Sequence, residues 1–569
     1  MQACPKPYLN MSNRFFSRLH LWRTLAAAFC IALALWLAAP LLGLLGGLAA
    51  LDVAMYAQLQ AMLQTVLPGY ALATLQLVLG VALVALVAGA GTAAMVTLFD
   101  FPARKTLEWL LLLPLAIPGY VAAYAYTDFL QFSGPAQNWL RAYLGTSGRM
   151  LPEIRSMPGA ILLLGFTLYP YVYLLVRTAL LERCKHLADA ARMLGANTRQ
   201  YVWRVALPLA RPAMLAGVAL VVMETLADYG VGSYFGIQTM SVGIYKAWLV
   251  MDAPELAGLL SLLLLALAGF ALHLQRRMQA RLRYGASGAF TPAAQQRLRV
   301  TGWVAACMVA ACAVPVLLGF VLPVLMMLRP LLQGLHTAAG LDRFMHWSAN
   351  SLKLALLGTV LTVAAAWMLA FWQRTLASRH VRASVAAASM GYALPGSVAV
   401  VGLLLPWMQV GRWLPQCTFG SLLSTTLLGV LWVYASRFCA VALHSLQSGY
   451  SRIPLSLDAS SHLLGRGLPA LCAKLHAPLL QKSTLTAMLL VFADIMKELP
   501  ATLVLRPFNH DTLAVITHQL ASDERLGEAA LPGLALVAVG LLPVLLLSRS
   551  IAAQRHSAGK SADSNPAVD

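Results

Sequence analysis

Charge is what this sequence has least of: 11% of its 569 residues are Asp, Glu, Lys or Arg, against about a quarter in soluble domains. Hydrophobic residues make up 60%, and long stretches are apolar on every side. A string of water-facing domains is thereby excluded, and a bilayer is the solvent that suits the chain. Metal and disulfide frameworks are missing too, because the eight cysteines include no CxxC pair and no histidines at zinc-site spacing. A nucleotide-binding loop is absent as well. Gly559-Lys560-Ser561 has the ending of one, but Gln554 stands where the first glycine is required. Acids are the scarcer charge, 21 against 41 basic residues, for a net +20. Basic residues gathered at the ends of apolar runs are what membrane orientation produces, so no nucleic-acid partner is expected. The scattered histidines and acids offer no catalytic set of base, nucleophile and orienting group.

What is present is a series of apolar segments long enough to cross a bilayer. They fall near 24–48, 71–98, 106–131, 159–181, 212–234 and 256–274, and again near 301–327, 350–372, 384–408, 421–445, 483–505 and 529–548. The first follows Lys6, Arg14, Arg18 and Arg23 as a signal peptide would, yet it is long enough to span and reads as a retained helix. Arg276-Arg277 through Arg299 is basic and acid-free, with Gly285, Gly288 and Pro292 as breakers. The chain therefore divides into a first half at 1–275, a basic linker at 276–299, a second half at 300–550 and a polar tail at 551–569. The expected fold is an all-α integral membrane protein of about twelve transmembrane helices, six per half. With the N-terminus inside, loops on that side carry roughly 28 Lys and Arg against roughly 9 outside, which puts both termini and the linker in the cytoplasm. An even number of helices per half makes this a parallel repeat.

The repeat is legible in residues. After the fourth span stands Asp189-Ala190-Ala191, then Gly195, then Leu207-Pro208; displaced by 270 positions, Ala459-Ser460-Ser461 is followed by Gly465 and Ala477-Pro478. Met223 to Thr239 also aligns without gaps on Met496 to Thr512. Two short helices fit the loop pattern. The alanines permit close approach of another chain, Gly195 can take the left-handed conformation that ends a helix, and Pro208 ends the second helix before the membrane.

This loop resembles the Glu-Ala-Ala, Gly, Ile-x-Leu-Pro signature of the permease subunits of bacterial binding-protein-dependent ABC importers. The resemblance implies the type I importer, MetI-like fold, a multi-pass place in the inner membrane among lipid, and no cofactor. It implies two copies of a cytoplasmic ABC ATPase as partners, which would hydrolyse the ATP, and a periplasmic substrate-binding protein. This chain would then be a transport subunit and not an enzyme. It also implies an ATPase-coupling role for Asp189, Ala190, Ala191, Gly195, Leu207 and Pro208, and for Ala459, Ser460, Ser461, Gly465 and Pro478. The second copy departs from the signature, with Ala459 in the place of the acid, Asp458 one position early, and His476-Ala477 before the proline. A secondary transporter can share the twelve-helix plan, but the duplicated cytoplasmic hairpin speaks against it.

Ionisable residues inside spanning segments are functional candidates by default. The fifth span of each half carries them: Glu224 and Asp228 in the first, Lys497 and Glu498 in the second. Four positions apart on a helix, Glu224 and Asp228 would share a face, and such oxygen ligands suit a hard cation. Internal pairing of Lys497 with Glu498 or Asp494 is the other account of these charges. Glu224 through Trp248, Met496-Lys497-Glu498-Leu499-Pro500, Arg506-Pro507-Phe508 and Leu520 through Arg525 resemble the fused ferric-iron permeases, which makes ferric iron the expected substrate. Thiamine and phosphonate permeases share the fused plan. Tyr120, Tyr124, Tyr126, Tyr169, Tyr171 and Tyr173 read as interfacial aromatic belts. His510 and His518 read as residues of an external loop without a metal-pair spacing, and no metal site is defined.

Overall fold

A computed structural model describes residues 9–49, 60–61, 64–284, 297–334, 338–376, 378–414, 416 and 418–563. Lys6, the linker residues 285–296 with their three breakers, and residues 564–569 of the tail lie outside the described residues. Along the first half run α1 (Leu9–Ala49), α2 (Leu67–Leu98), the strand β1 (Phe99–Asp100), α3 (Arg104–Leu110) with a 3-10 turn at Leu113–Ala116, α4 (Gly119–Leu130), α5 (Pro135–Leu144), α6 (Met157–Met193), α7 (Thr198–Tyr201), α8 (Leu207–Ala227), α9 (Gly230–Tyr234), α10 (Met240–Tyr245) and α11 (Pro254–Tyr284). Along the second run β2 (Leu298–Arg299), α12 (Gly302–Val316), α13 (Leu322–Gly334), α14 (Ala338–Leu376), α15 (Arg379–Ala388) with a 3-10 turn at Ser389–Ala393, α16 (Gly396–Trp413), α17 (Phe419–Thr425), α18 (Leu427–Tyr450), α19 (Leu455–Leu463), α20 (Leu468–Ala470), α21 (Ala477–Lys497), α22 (Pro500–Leu505), α23 (Leu513–Ser522) and α24 (Leu526–Asp563). Helices dominate because a backbone in hydrocarbon must bond within its own segment. β1 and β2 form a two-residue parallel bridge, Phe99 on Leu298 and Asp100 on Arg299.

Among the described residues ten helices are long and apolar enough to cross a membrane, and up to twelve spans result if each of two bent pairs counts as one. Those pairs are the expected spans at 106–131 and 384–408. Arg104–Ala116 meets Gly119–Leu144 at 91°, and Arg379–Gly391 meets Gly396–Gly411 at 114°. The cause is a repeated tripeptide, Ile117-Pro118-Gly119 and Leu394-Pro395-Gly396. Proline lacks the N–H that a helix needs and drives the residue before it into extended backbone; Ile117 sits at φ −92°, ψ 125° and Leu394 at φ −80°, ψ 113°.

The fifth spans begin earlier than 212–234 and 483–505, at Val202–Ala227 and Leu468–Lys497. Pro208 and Pro478 do not end helices, contrary to the sequence expectation. Each comes after a wide turn with i→i+5 bonding, at Val202–Ala206 and Leu471–His476. The wider turn makes room for a ring that lacks an N–H and would otherwise collide with the carbonyl four residues back.

The chain resolves into two compact units, and neither is a sequence half of 1–275 or 300–550. One unit comprises Met1–Gly47, Lys353–Leu394 and Gly402–Ile495; the other comprises Leu48–Leu352, Pro395–Val401 and Met496–Asp569. In the first unit α1 packs on helices of the second half. Trp36 stacks on Trp432 with ring centroids 5.3 Å apart, Trp432 Nε1–H donates to the Trp36 carbonyl at 2.8 Å, and Gly402 leaves room for the Pro40 carbonyl. In the second unit α12 and α13, with the turn between them, pack on helices of the first half. Gly319 leaves room for the Phe166 carbonyl, and Tyr126 donates to the Leu318 carbonyl at 2.5 Å. Each half lends its first helix to the other.

Candidate functional site

The loop after the fourth span is a glycine turn in both halves. Gly195 has φ +79° and Gly465 φ +70°, the left-handed region where a side chain is strained. Ala196 N–H bonds the Ala191 carbonyl at 2.9 Å, and Arg466 N–H bonds the Ser461 carbonyl at 3.2 Å. These six-to-one bonds satisfy carbonyls that a helix end leaves open. Ala191 and Ser461 are buried under the turn, while Ala459 and Ser460 are exposed. Asp189 and Ala190 lie in α6. The turn carries a feature that the sequence motif does not mention. Met193 and Leu194 are 89% and 88% exposed, Leu463 and Leu464 88% and 72%, so each glycine comes after two large, exposed apolar side chains. After the first turn, Asn197 Oδ1 accepts from Gln200 N–H at 2.8 Å and Gln200 Oε1 accepts from Asn197 N–H at 3.0 Å, a reciprocal cap that starts α7.

The helix before the turn differs between copies. The first is the end of the long α6; the second, α19, is a separate short helix because Pro454 interrupts the chain after α18. The two departures of the second copy from the signature are bonded to each other. Asp458 Oδ1 faces His476 Nε2 at 3.0 Å, and Asp458 Oδ2 accepts from Arg374 Nε at 2.7 Å. Arg374 also donates to the carbonyls of Tyr450 at 3.1 Å and Ile453 at 3.0 Å, and the Tyr450 hydroxyl lies 3.3 Å from His476 Nδ1. His476 is fully buried. Partial burial alone would raise the Asp458 carboxyl, but the hydrogen bonds and charge of Arg374 and His476 outweigh it and hold the group below its ordinary value.

Of the candidate carboxylates of the fifth spans, Glu224 lies inside α8, and Asp228 and Glu498 are helix caps. α8 stops at Ala227, and Asp228 is extended at φ −70°, ψ 124°, so Glu224 and Asp228 do not share a helical face as the spacing predicts. Asp228 Oδ2 accepts from Val231 N–H at 3.1 Å and Gly232 N–H at 3.3 Å, at the start of α9. Glu498 does the same for α22. It accepts from the N–H groups of Ala501 and Thr502, each at 3.1 Å, and from the Thr502 hydroxyl at 2.9 Å. Carboxylates at helix N-termini are stabilised by the open N–H groups and the dipole. Lys497 Nζ donates to the Leu115 carbonyl at 2.9 Å, a cation at the end of the 3-10 turn where carbonyls gather. Thr239 and Thr512 cap α10 and α23. The carboxylate caps match at a displacement of 270 residues and the threonine caps at 273, so the second copy holds three extra residues and the gapless alignment of this stretch is off by three at its start.

Four of the expected belt tyrosines, Tyr120, Tyr124, Tyr169 and Tyr173, are instead buried in helix packing. Tyr173 donates to the Glu108 carbonyl at 3.0 Å, and Glu108 is itself buried between Arg104 and Arg177, an ion cluster in the third and fourth spans that sequence reasoning passed over. His518 is no loop residue. It lies in α23, 5% exposed, with Nδ1 2.6 Å from the Tyr124 hydroxyl. His510 is exposed in a turn. Among the described residues no group of three His, Cys, Asp or Glu is gathered for a metal ion.

The family described as "Binding-protein-dependent transport system inner membrane component" matches residues 85–284. An Fe(3+)-transport system permease protein of Haemophilus influenzae is 23% identical over 482 residues, 84% of this chain and 88% of the relative. The sulfate transport system permease protein CysW of Escherichia coli is 32% identical over 203 residues, 35% of this chain and 67% of the relative. A spermidine/putrescine transport system permease protein of Haemophilus influenzae is 29% identical over 133 residues, 23% of this chain and 46% of the relative.

Proposed function

Because the chain belongs to the inner membrane components of binding-protein-dependent transport systems, we propose that it forms the passage for ferric iron and couples it to two ATPase subunits through its two glycine turns. A periplasmic binding protein delivers the cargo, and both termini are cytoplasmic in this reading. The observation that carries the coupling role is the duplicated turn itself. A left-handed glycine at Gly195 and Gly465 presents a pair of exposed apolar side chains in each half. An unpartnered apolar knob on a polar turn is a docking surface, and two of them fit two copies of one partner. Asp189, Ala190 and Ala191, and Ala459, Ser460 and Ser461, form the helix that each turn closes.

Iron is supported by the Haemophilus relative, which is similar across 84% of the chain and so across both halves. The sulfate and polyamine relatives cover 35% and 23% of it, the extent that a shared coupling architecture would reach. Glu224, Asp228, Lys497 and Glu498 act in this reading by shaping the passage at the breaks of the fifth helices. Asp228 and Glu498 are committed to backbone N–H groups and do not form a tight cation site.

The test is uptake of labelled ferric iron, sulfate and spermidine in cells carrying the transporter. Gly195→Asp forces a side chain into left-handed backbone at the docking surface, with nothing within 4 Å of the added Cβ, so insertion should be normal. Iron uptake should fall at least about tenfold, as expected if about 1–2 kcal/mol of backbone strain adds to a misplaced charge. Normal uptake in a membrane-inserted Gly195→Asp protein would refute coupling through this turn. Competition of iron uptake by sulfate or spermidine would refute the substrate.

A further inference from the structure

We propose that Arg297, at the end of the basic linker, seats the phosphate of an anionic phospholipid against the first half, at the cytoplasmic surface; the side of the membrane rests on the permease reading above. The β1–β2 bridge fixes the place. α2 ends its span at Leu98 and α12 begins the next at Gly302, so the paired strands lie at the surface where both spans end. Val300 N–H adds a bond to the Asp100 carbonyl at 3.0 Å. This pairing brings Arg297 to the ion cluster of the third and fourth spans. There Arg104 Nε meets Asp100 Oδ1 at 3.2 Å and Arg104 Nη1 meets Glu108 Oε2 at 3.5 Å, while Arg177 pairs with Glu108 from the other side.

Both carboxylates are thus engaged by two buried guanidiniums, and Arg297 is the third. Its Nε is buried and has no hydrogen-bond acceptor among the described residues. Burial first, then the charge of Arg104, pushes the Arg297 guanidinium below its ordinary value; Asp100 opposes them and Arg177 adds to them. The group stays charged all the same, and a buried donor of this kind calls for an acceptor. An oxyanion suits it best, because the planar fork of N–H groups meets two oxygens at once. Placement favours a lipid over a soluble anion. Trp303, in the first turn of α12, is 82% exposed, and Trp109 on α3, which packs on α12, is 39% exposed. Lys105 is exposed on the same short helix. Exposed tryptophans at the end of a span mark the headgroup level, and a basic pocket between helices on the cytoplasmic side fits an anionic headgroup.

The experiment titrates the purified full-length chain in detergent with phosphatidylglycerol, and with phosphatidylcholine as the zwitterionic control, and counts bound lipids by mass spectrometry of the intact protein. Arg297→Gln should weaken phosphatidylglycerol binding about tenfold, the loss of one charge-assisted hydrogen bond, and leave phosphatidylcholine unchanged. Arg299→Gln, two residues on and exposed, should weaken it by less than about threefold, because an exposed charge is screened. Asp100→Asn should strengthen it severalfold, since three guanidiniums then face one carboxylate. If Arg297→Gln disturbs the fold, Asp100→Asn carries the test alone, because damage does not tighten binding. Equal losses at Arg297 and Arg299, or no gain in Asp100→Asn, would overturn the site, and displacement of the lipid by inorganic phosphate would overturn the lipid as its occupant. The measurement needs no ATPase, binding protein or cargo, so a failed substrate assignment leaves it standing. Labelling of Arg299→Cys by an impermeant maleimide added outside spheroplasts would instead overturn the cytoplasmic placement of the linker.

Discussion

The two glycine turns share a backbone and differ in how they are held. The first closes α6, a helix of 37 residues with no interruption between the membrane and the turn. The second closes α19, nine residues long, set off from α18 by Ser451 through Pro454 and pinned by Arg374 and His476 onto Asp458. One turn is the tip of a rod and the other a plate on a hinge. The duplication has kept the geometry of the turn and let the attachments diverge. Divergence at the second turn was also not random in space, since the displaced acid and the substituted histidine meet.

The sharpest way to test that difference is Arg374→Ala. Removing one partner of a mostly buried ion pair costs about 3–5 kcal/mol, and here the cost falls on the second turn. Limited proteolysis should cut residues 451–467 more than tenfold faster, an effect of well under 3 kcal/mol of local opening, while the first turn keeps its rate. Equal acceleration at both turns would erase the distinction. A smaller contrast separates the caps. Glu498→Ala should lower stability by about 2 kcal/mol and Asp228→Ala by about 1 kcal/mol, because Glu498 also takes the Thr502 hydroxyl; thermal unfolding in detergent reads both. The Asp458 carboxyl, held low, contributes stability that is complete above its ordinary value and lost as pH falls through its lowered one. Below about pH 4 proteolysis should therefore reach the second turn before the first. The smallest effect belongs to Pro454→Ala, which restores the missing N–H and should stiffen the hinge. Cleavage near residue 452 should slow about twofold, with little change in global stability.

Fold class was legible because apolar runs of membrane length are unambiguous, and the turns because Gly195 and Gly465 stand at one displacement in two copies. The bends were equally present in the sequence. Ile117-Pro118-Gly119 and Leu394-Pro395-Gly396 lie inside runs that hydropathy alone joins into single spans. Pro208 and Pro478 misled in the other direction, because a helix can absorb a proline by widening one turn, and that adjustment leaves no mark in composition. Glu224 and Asp228 suggested a shared face only while the helix was assumed to continue; the break at Asp228 turned a ligand candidate into a cap. Burial of the tyrosines and of His518 depends on helices brought together from distant sequence, which periodicity within one segment does not report. The Met193-Leu194 and Leu463-Leu464 pairs were visible beside each glycine, but an apolar pair at a helix end gains meaning only from exposure.

The exchange of first helices also sets a clock. Trp36 of α1 is made about 400 residues before Trp432, its stacking partner, which at about 5–20 residues per second is a wait of about 20–80 s. Throughout that interval α1 stands in the membrane with its partner surface against lipid or against whatever insertion factor shields it. The amino-terminal helix is thus the first element inserted and among the last to be packed, and a ribosome stalled anywhere before Trp432 leaves it orphaned.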